Sequence, residues 1–358
     1  KGTEKAFRNL IRCYGIGDDL VRLNVYADNS TYNYEDNYDS TTVKKNTINF
    51  NATNNFNGTI YQHSSSLNIS SASVSYITGS PGTIYIPRTI ETNVFFPKKL
   101  ESKQKGYFET NFLTASLFGM HTARSSSAPA TAGAAFLQYA NPDRANFQVY
   151  AIRDERESKS VRFKLSSSIA GPGGPTIPQL TTALFEDVYD NQSWNISVRI
   201  KSAKYPVSDF AFGTGLSSED FEVEFTGYNN ILDITYNSFA LTGTMSTNAR
   251  ARTFLSSSHR VYAGSHLTNF TGTVERQTDV RIDSLRYWMD YLSDEELKAH
   301  ARDPLNYGRK HPYRDAYPLI TDVLKIRVPQ KDTLALNWDF QQVSSSNSSG
   351  KFLVADFS

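Results

Sequence analysis

Three carboxylates at two-residue spacing are the residues of this sequence best suited to chemistry. Asp220, Glu222 and Glu224 alternate with apolar residues in the segment SSEDFEVEF. Alternate side chains of a β-strand share one face, so a strand here would bring the three acids together. A retaining glycosidase needs two carboxyl groups about 5 Å apart, one as nucleophile and one as general acid. The same pattern fits a strand with a solvated acidic face above an aromatic core, and this second interpretation predicts no catalytic residue.

Metal-binding patterns are weak in this chain. The six histidines show neither the i, i+4 spacing nor the His-x-His spacing of histidine metal sites. The segments YDNQS and DERES offer oxygen ligands for calcium, but both are also ordinary turn sequences. We therefore predict no cofactor, with calcium as the alternative. The lone Cys13 lies within an apolar helical pattern, which predicts a buried packing residue.

Tyrosines in polar segments are the candidates for glycan binding, because an aromatic ring can stack on the apolar face of a sugar. Tyr32, Tyr34 and Tyr38 lie in YNYEDNY, and Tyr228 lies in TGYNN. The alternative is that these rings pack at the rim of the core.

The elements that must position these residues are mostly strands. The chain has 358 residues, with 21 Tyr, 22 Phe, 20 Gly and 13 Pro. Alternating runs such as NFQVYAI, SVRFKL and EDFEVEF recur at roughly ten-residue spacing between turn signals. This pattern is typical of an antiparallel β-sandwich or jelly roll, so we predict a mainly β fold.

Two short helices are predicted beside the strands. In the first, Gly15 supplies the left-handed stop. Its apolar stripe consists of Phe7, Leu10, Ile11 and Tyr14. About eleven residues do not hold a helix alone in water, so this stripe is predicted to dock an assembly partner.

The second helix follows what the sequence indicates as the last strand of the sandwich. Ser293 and Glu296 form a capping box, and Leu292 and Leu297 occupy the positions of a hydrophobic staple. Pro304 ends the helix. The strand before it alternates from residue 279 to 288, with a one-residue slip near Asp283.

Charge and hydropathy disfavour two classes of partner. Lys plus Arg is 37 and Asp plus Glu is 36, giving a formal charge of +1 without a long block of one sign. We therefore expect no nucleic-acid partner. Apolar runs fall short of the roughly 18 residues of a membrane span, so no membrane insertion is predicted.

Two segments carry a family resemblance. DVRIDSLRYWMDYLSDEEL and DNQSWNISVRI resemble the last and central strands of LamG-like jelly-roll domains in the concanavalin A-like lectin/glucanase superfamily. The resemblance covers about residues 100 to 303 and implies a concanavalin A-like sandwich. Glucanases of this superfamily carry an E-x-D-x-E cluster, whereas this chain has D-x-E-x-E, which counts against hydrolysis. The superfamily also includes lectins and structural modules.

The two ends carry further resemblances. KGTEKAFRNLIRCYGI is similar to a docking helix of large tailed-bacteriophage tail and baseplate proteins. LALNWDFQQVSSSNSSGKFLVADFS resembles the first strand and turn of another LamG-like module. We therefore expect a segment of a longer, multidomain virion protein.

These patterns predict five regions. Residues 1–28 form a docking helix and strand, and residues 29–100 a β-rich connector whose contribution of strands to the sandwich is left open. Residues 101–303 form the jelly roll, residues 304–333 a linker, and residues 334–358 the start of a further module.

The predicted function is that of a virion structural protein, a tail, baseplate or fibre component, and not an enzyme. It would present its sandwich for assembly contacts or for binding host glycans. Its partners would be other virion subunits, in a homo-oligomer, and host surface glycans. Its location would be the virion, after assembly in the host cytoplasm. The alternatives are a glycan-cleaving enzyme that uses the acidic strand face and a bacterial surface adhesin with tandem LamG-like modules.

Overall fold

The computed structural model describes most of the predicted sandwich. The described residues are 4–15, 46–61, 86–122, 147–167, 177–203, 205, 220–231, 234–245, 251, 254–255, 259–267, 273–302, 319–321, 325–327, 333–340, 343–344 and 351–354. They fall into two compact units, Lys1–Lys44 and Lys45–Ser358, which are described separately.

The first unit contains helix α1 (Glu4–Cys13), as the sequence predicts. Gly15 follows the helix with φ of 77°, the left-handed conformation of a C-terminal stop.

Strands dominate the second unit. In chain order they are β1 (Ile48–Asn49), β2 (Thr59–Tyr61), β3 (Arg88–Phe96), β4 (Thr114–Thr122), β5 (Phe147–Arg153), β6 (Val161–Ser166), β7 (Leu180–Thr181), β8 (Gln192–Ser202), β9 (Phe221–Ile231), β10 (Ile234–Thr244), β11 (His259–Gly264), β12 (His266–Leu267), β13 (Val274–Arg276), β14 (Arg281–Trp288), β15 (Leu319–Thr321), β16 (Lys325–Arg327), β17 (Leu334–Trp338), β18 (Val343–Ser344) and β19 (Lys351–Val354). Helix α2 (Asp294–Arg302) lies between β14 and β15.

The strands form two main sheets. The first has the order β1-β14-β3-β8-β9-β10, and β17 also pairs with β14. The second has the order β18-β19-β2-β11-β4-β5-β6-β7. β12-β13 and β15-β16 form two separate two-stranded antiparallel sheets. Pairing in the two main sheets is antiparallel except between β19 and β2.

The core lies between the two sheets. On β8, Trp194, Ile196 and Val198 are fully buried, and they alternate with polar residues on the other face. The Trp194 ring lies 4.9 Å from the ring of Phe163 on β6, so the two layers meet through large aromatic side chains. The predicted mainly β, antiparallel, jelly-roll-like sandwich is therefore confirmed.

The capping signals of α2 are confirmed in detail. The Ser293 amide donates to Glu296 Oε2 at 2.7 Å, and the Glu296 amide donates to Ser293 Oγ at 3.3 Å. The staple residues Leu292 and Leu297 are both buried, and they pack against Trp288. The slip predicted near Asp283 is a register shift between β14 and β3. Pro304, where the helix is predicted to end, lies outside the described residues.

The C-terminal strands differ from the sequence-based expectation. Residues 334–358 were predicted to start a separate module, but β17 pairs with β14 and β19 pairs with β2. These strands therefore extend the same two sheets, and β14 is not the last strand of the sandwich. Likewise, β1, β2 and β3 lie within the predicted connector 29–100 and belong to the two sheets. No helix in the described part of the chain combines the length and apolarity of a membrane span.

Candidate functional site

The acidic strand face has the alternation predicted for it, but its best-placed carboxylate is fully engaged. Glu224 Oε2 lies 2.8 Å from the Arg199 guanidinium, and Oε1 lies 2.7 Å from Lys201 Nζ. The hydroxyl of Tyr291 donates to Oε2 at 2.8 Å. Arg199 also contacts Asp294 of α2 at 2.7 Å. The cluster therefore joins the helix to the sheet.

The other two acids of this strand face lie nearer solvent. Asp220 is exposed and Glu222 is partly exposed. A glycosidase nucleophile needs a carboxylate oxygen that can approach a sugar carbon. Because both Glu224 oxygens are held by protein groups, the geometry favours the structural interpretation of this face.

Tyr228 does not form an open glycan platform. Its side chain is only 4% exposed, and it packs in a cluster with Trp288, Leu292 and Leu297. The Lys298 ammonium lies 5.6 Å from the centre of its ring. The prediction for Tyr228 is therefore wrong, because the segment leading into α2 and the helix itself cover this part of the sheet. Tyr32, Tyr34 and Tyr38 lie outside the described residues.

The apolar stripe of α1 is largely exposed. Phe7, Leu10 and Tyr14 are 51%, 55% and 78% exposed, and Ile11 is partly exposed. Cys13 is also exposed, so its predicted role as a buried packing residue is wrong. The stripe stays a predicted docking surface.

A buried charged layer under α2 is one feature that the sequence did not reveal. Glu91 of β3 is fully buried and lies 3.2 Å from Arg286 Nε and 2.8 Å from His300 Nδ1. Trp288 Nε1 donates to Glu91 at 2.9 Å, and Asn195 Nδ2 donates at 3.3 Å. Burial by itself raises the pKa of Glu91, but attraction to Arg286 and His300, with hydrogen bonds from His300 and Trp288, lowers it to about 2.

A second missed feature lies on the outer face of the second sheet. His121 of β4, Gln148 of β5, Tyr262 of β11 and His266 of β12 meet there, and all are buried. The His121 ring is centred 5.6 Å from the rings of both Tyr262 and His266, and the Tyr262 and His266 rings stack at 5.4 Å. Gln148 Nε2 lies 2.9 Å from His266 Nδ1. We call these four residues the imidazole cluster.

A glycine makes room for this cluster. Gly119 lies opposite Tyr262 in the β4–β11 register. A Cβ atom at Gly119 would lie 2.5 Å from the Tyr262 hydroxyl oxygen and 2.7 Å from the Phe147 carbonyl oxygen. A larger residue would therefore displace the phenol from the cluster.

The imidazole cluster is poorly tuned for proton transfer at neutral pH. Burial, with the nearby Arg276 charge, lowers the pKa of His266 to about 4. Burial also lowers the pKa of His121 well below its ordinary value and raises that of Tyr262 well above its own. A general acid or base works best when its pKa lies near the working pH. The cluster therefore offers neutral hydrogen-bonding groups.

An open cleft of about 520 Å³ lies beside the β12-β13 hairpin. Its lining residues are Asn57, Phe112, Leu113, Thr114, Val274, Glu275, Arg276 and Gln277. Gln277 Nε2 donates to Asn57 Oδ1 at 2.9 Å, which fixes two amides at the cleft. Arg276 pairs with His266 across the hairpin, so the cleft adjoins the imidazole cluster. Its mixture of amide, charged and apolar groups can contact a polar ligand with apolar faces.

Metal ligands do not converge in the described residues. No group of three or more His, Cys, Asp or Glu side chains there could hold a metal ion. Of the two segments considered for calcium, Asp190 forms an ion pair with Lys98 at 2.9 Å and Asp154 accepts the Glu155 amide at 3.2 Å, as in ordinary turns.

Comparisons with known proteins gave low-scoring backbone matches among solved structures. No family model matches the chain, and no curated protein matches it either. Among solved structures, an alginate lyase from Pseudomonas aeruginosa has a TM-score of 0.29 and 9% identity, over 59% of this chain and 67% of that one. The CBM2 module of the evolved Dit of Lactobacillus casei BL23 phage J-1 has a TM-score of 0.28 and 6% identity, over 60% of this chain and 66% of that one.

Proposed function

We propose that this chain is a virion structural module, of a tail, baseplate or fibre, that binds a host surface glycan in the cleft and does not cleave it. The observation that carries the glycan proposal is the cleft itself. Its volume of about 520 Å³ lies within the range of roughly 300–1,000 Å³ typical of small-ligand sites.

The lining of the cleft matches the chemistry of a sugar. Sugar hydroxyls both donate and accept hydrogen bonds, as the amides of Asn57 and Gln277 do. Glu275 accepts from hydroxyl groups and Arg276 donates to them. Leu113, which is 41% exposed, offers an apolar contact for the carbon face of a sugar ring.

The proposal of binding without chemistry rests on two groups. Both oxygens of Glu224 are occupied by Arg199, Lys201 and Tyr291. The imidazole cluster is held neutral, with the pKa of His266 lowered to about 4 by burial and Arg276. The Glu224 oxygens are therefore not free to approach a sugar carbon, and the histidines of the imidazole cluster do not have the pKa of a general acid or base at neutral pH.

Two features support the virion part of the proposal. Residues 1–16 resemble a docking helix of tail and baseplate proteins, and α1 exposes Phe7, Leu10 and Tyr14. An amphipathic helix that exposes its apolar stripe is suited to lie in a groove of another subunit. The partners proposed are therefore other virion subunits, with further copies of this chain among them.

Binding to an array of bacterial surface polysaccharides tests the glycan proposal. We expect the chain to bind at least one polysaccharide, with affinity reduced about tenfold or more by Arg276→Ala or Leu113→Ser, because hot-spot contacts commonly cost at least that much. Arg302→Ala is the matched control, since Arg302 is an exposed arginine on α2, away from the cleft lining. The bound polysaccharide should keep its chain length.

Three outcomes would contradict the glycan proposal. These are no binding across the array, equal affinities for the cleft variants and the unmodified chain, or shortened polysaccharide after incubation. The virion part is tested separately, by cryo-electron microscopy of phage particles that were assembled while a labelled copy of the chain was expressed. Absence of the label from the particles would overturn it.

A further inference from the structure

Strand β10 is an unusually long sheet edge in this molecule. It ends the first sheet and has 11 residues. The other strands at the margins of the two main sheets are short: β1, β7 and β18 have two residues each, and β17 has five. Short edge strands are a common protection against pairing with another chain, so β10 stands apart from the other edges.

The composition of β10 also lacks edge protection. Its sequence, ITYNSFALTGT, contains neither a charged residue nor a proline. Charged side chains, proline and bulges are the usual devices that stop an edge strand from pairing. The register shift between Thr235 and Asn237 affects one end only, so the strand from Asn237 to Thr244 is regular.

The hydrogen-bond register shows which backbone groups of β10 point away from the sheet. The Met245 amide donates to the Phe221 carbonyl oxygen at 2.8 Å, and the Ala203 amide donates to the Asp220 carbonyl oxygen at 2.9 Å. Antiparallel bonds fall on alternate residues, so odd-numbered residues of β10 bond to β9. The amides and carbonyls of the even-numbered residues therefore point outward. These residues are Ser238, Ala240, Thr242 and Thr244.

The side chains of these four residues leave room for a neighbouring strand. All four are small and exposed. The intervening Phe239 and Leu241 are partly buried and pack against the core, which holds the strand in place. No strand among the described residues pairs with this edge.

We propose that β10 pairs with β10 of a second copy of this chain, antiparallel about a two-fold axis near Leu241. Ser238 then lies opposite Thr244, and Ala240 lies opposite Thr242. The four outward-facing residues of each copy form about eight backbone hydrogen bonds, which join the two first sheets into one continuous sheet. Thr–Ser pairs across the strands add side-chain hydrogen bonds.

Charge is the reason to assign a second copy as the occupant. A strand that pairs with itself faces its own sequence reversed, and charged residues near the axis would bring like charges together. β10 has none, so self-pairing carries no such cost. The pairing goes beyond the proposed glycan binding and does not require it, because the cleft lies beside the β12-β13 hairpin, and dimerisation and glycan binding are measured separately.

Analytical ultracentrifugation of the full chain over a concentration series tests the proposal. We expect a monomer–dimer equilibrium. Thr242→Pro removes an outward amide that β9 does not use, so it should raise the dimer Kd about tenfold or more with little change in thermal stability. Thr242→Val keeps that amide and should dimerise like the unmodified chain.

A charge-pair experiment tests the register itself. Ala240→Lys and Thr242→Glu each place like charges close to the axis, and each variant alone should dimerise more weakly. In a mixture of the two, the introduced lysine of one copy faces the introduced glutamate of the other, so heterodimers should form more tightly than either homodimer. Because both positions are exposed, these variants should fold even if the proline variant does not.

Any one of four results would overturn the proposal. The chain could stay monomeric at every concentration, Thr242→Pro could dimerise as well as Thr242→Val, or mixing the charged variants could fail to restore dimers. A monomer whose β10 edge instead bound an added strand from another protein would also refute self-pairing.

Discussion

Replacing Glu91 by Gln should cost this fold about 3 kcal/mol of unfolding free energy. The carboxylate is fully buried and lies within 3.2 Å of Arg286 and 2.8 Å of His300. Gln keeps the size of the side chain and removes its charge, so the buried Arg286 cation loses this counter-charge. Breaking a buried ion pair from one side typically destabilises a protein by about 3–5 kcal/mol.

The pKa of Glu91 gives the same magnitude by a second route. Attraction to Arg286 and His300 outweighs the opposing effect of burial and lowers this pKa from 4.5 to about 2. A shift of that size corresponds to about 3 kcal/mol of native-state stabilisation. Because the pKa is lower in the folded state, the stabilisation is fully present above pH 4.5. It is lost as the pH falls through 2.

Urea unfolding at pH 7 and at a series of pH values down to about 2 measures both effects. Glu222→Gln is the matched control, because Glu222 is a partly exposed glutamate on β9. We expect the control to change stability by less than about 0.5 kcal/mol, as is usual for surface substitutions. Glu91→Gln should also remove the Glu91 part of the stability loss between pH 4.5 and 2. Equal stability of the two variants at pH 7, with parallel acid profiles, would refute the reasoning.

Three further predictions concern other contacts. His266→Gln should reduce the loss of stability in acid. Burial and Arg276 lower the His266 pKa from 6.5 to about 4. In urea unfolding between pH 7.5 and 5, the unfolding free energy of the unmodified chain should therefore fall by about 2 kcal/mol more than that of the variant. Equal losses would contradict this. Gly119→Ala should cost about 1–3 kcal/mol in thermal unfolding, because its Cβ would meet the Tyr262 hydroxyl oxygen; an unchanged melting temperature would count against that contact. Ser293→Ala should cost about 1 kcal/mol, as loss of a helix N-cap does, whereas Ser293→Thr should restore most of it. If Ser293→Thr lowered the stability as much as Ser293→Ala does, the N-cap hydrogen bond would not be the cause of the loss.

Local patterns in the sequence predicted most of the elements. The alternation in β8 and β9, the slip in β14 and the capping box before α2 each depend on neighbours within a few residues. The period-two alternation of apolar and polar residue types and the helix-capping signals each follow from the geometry of one segment, so they can be recognised without knowing the partner strands.

The order and register of the strands decided which residues that are distant in the sequence come into contact. Glu91 meets Arg286 because β3 and β14 pair in one register, and His121 meets His266 although 145 positions separate them in the numbering. Spacing rules for histidine sites consider residues close in sequence, so they missed this cluster. Tyr228 has the polar sequence surroundings of an exposed ring, yet it is buried because α2 and its approach lie on β9.

The sequence alone therefore determined that the chain forms many short strands with one well-capped helix after β14. Only the tertiary structure decided that β17 and β19 extend the same sheets, that Glu224 is held by two cations, and that β10 is left as a long edge. The physical reason is the separation along the chain over which each interaction acts. Backbone alternation and capping act over a few residues, whereas sheet neighbours, buried ion pairs and open edges depend on register between segments that are distant in the chain.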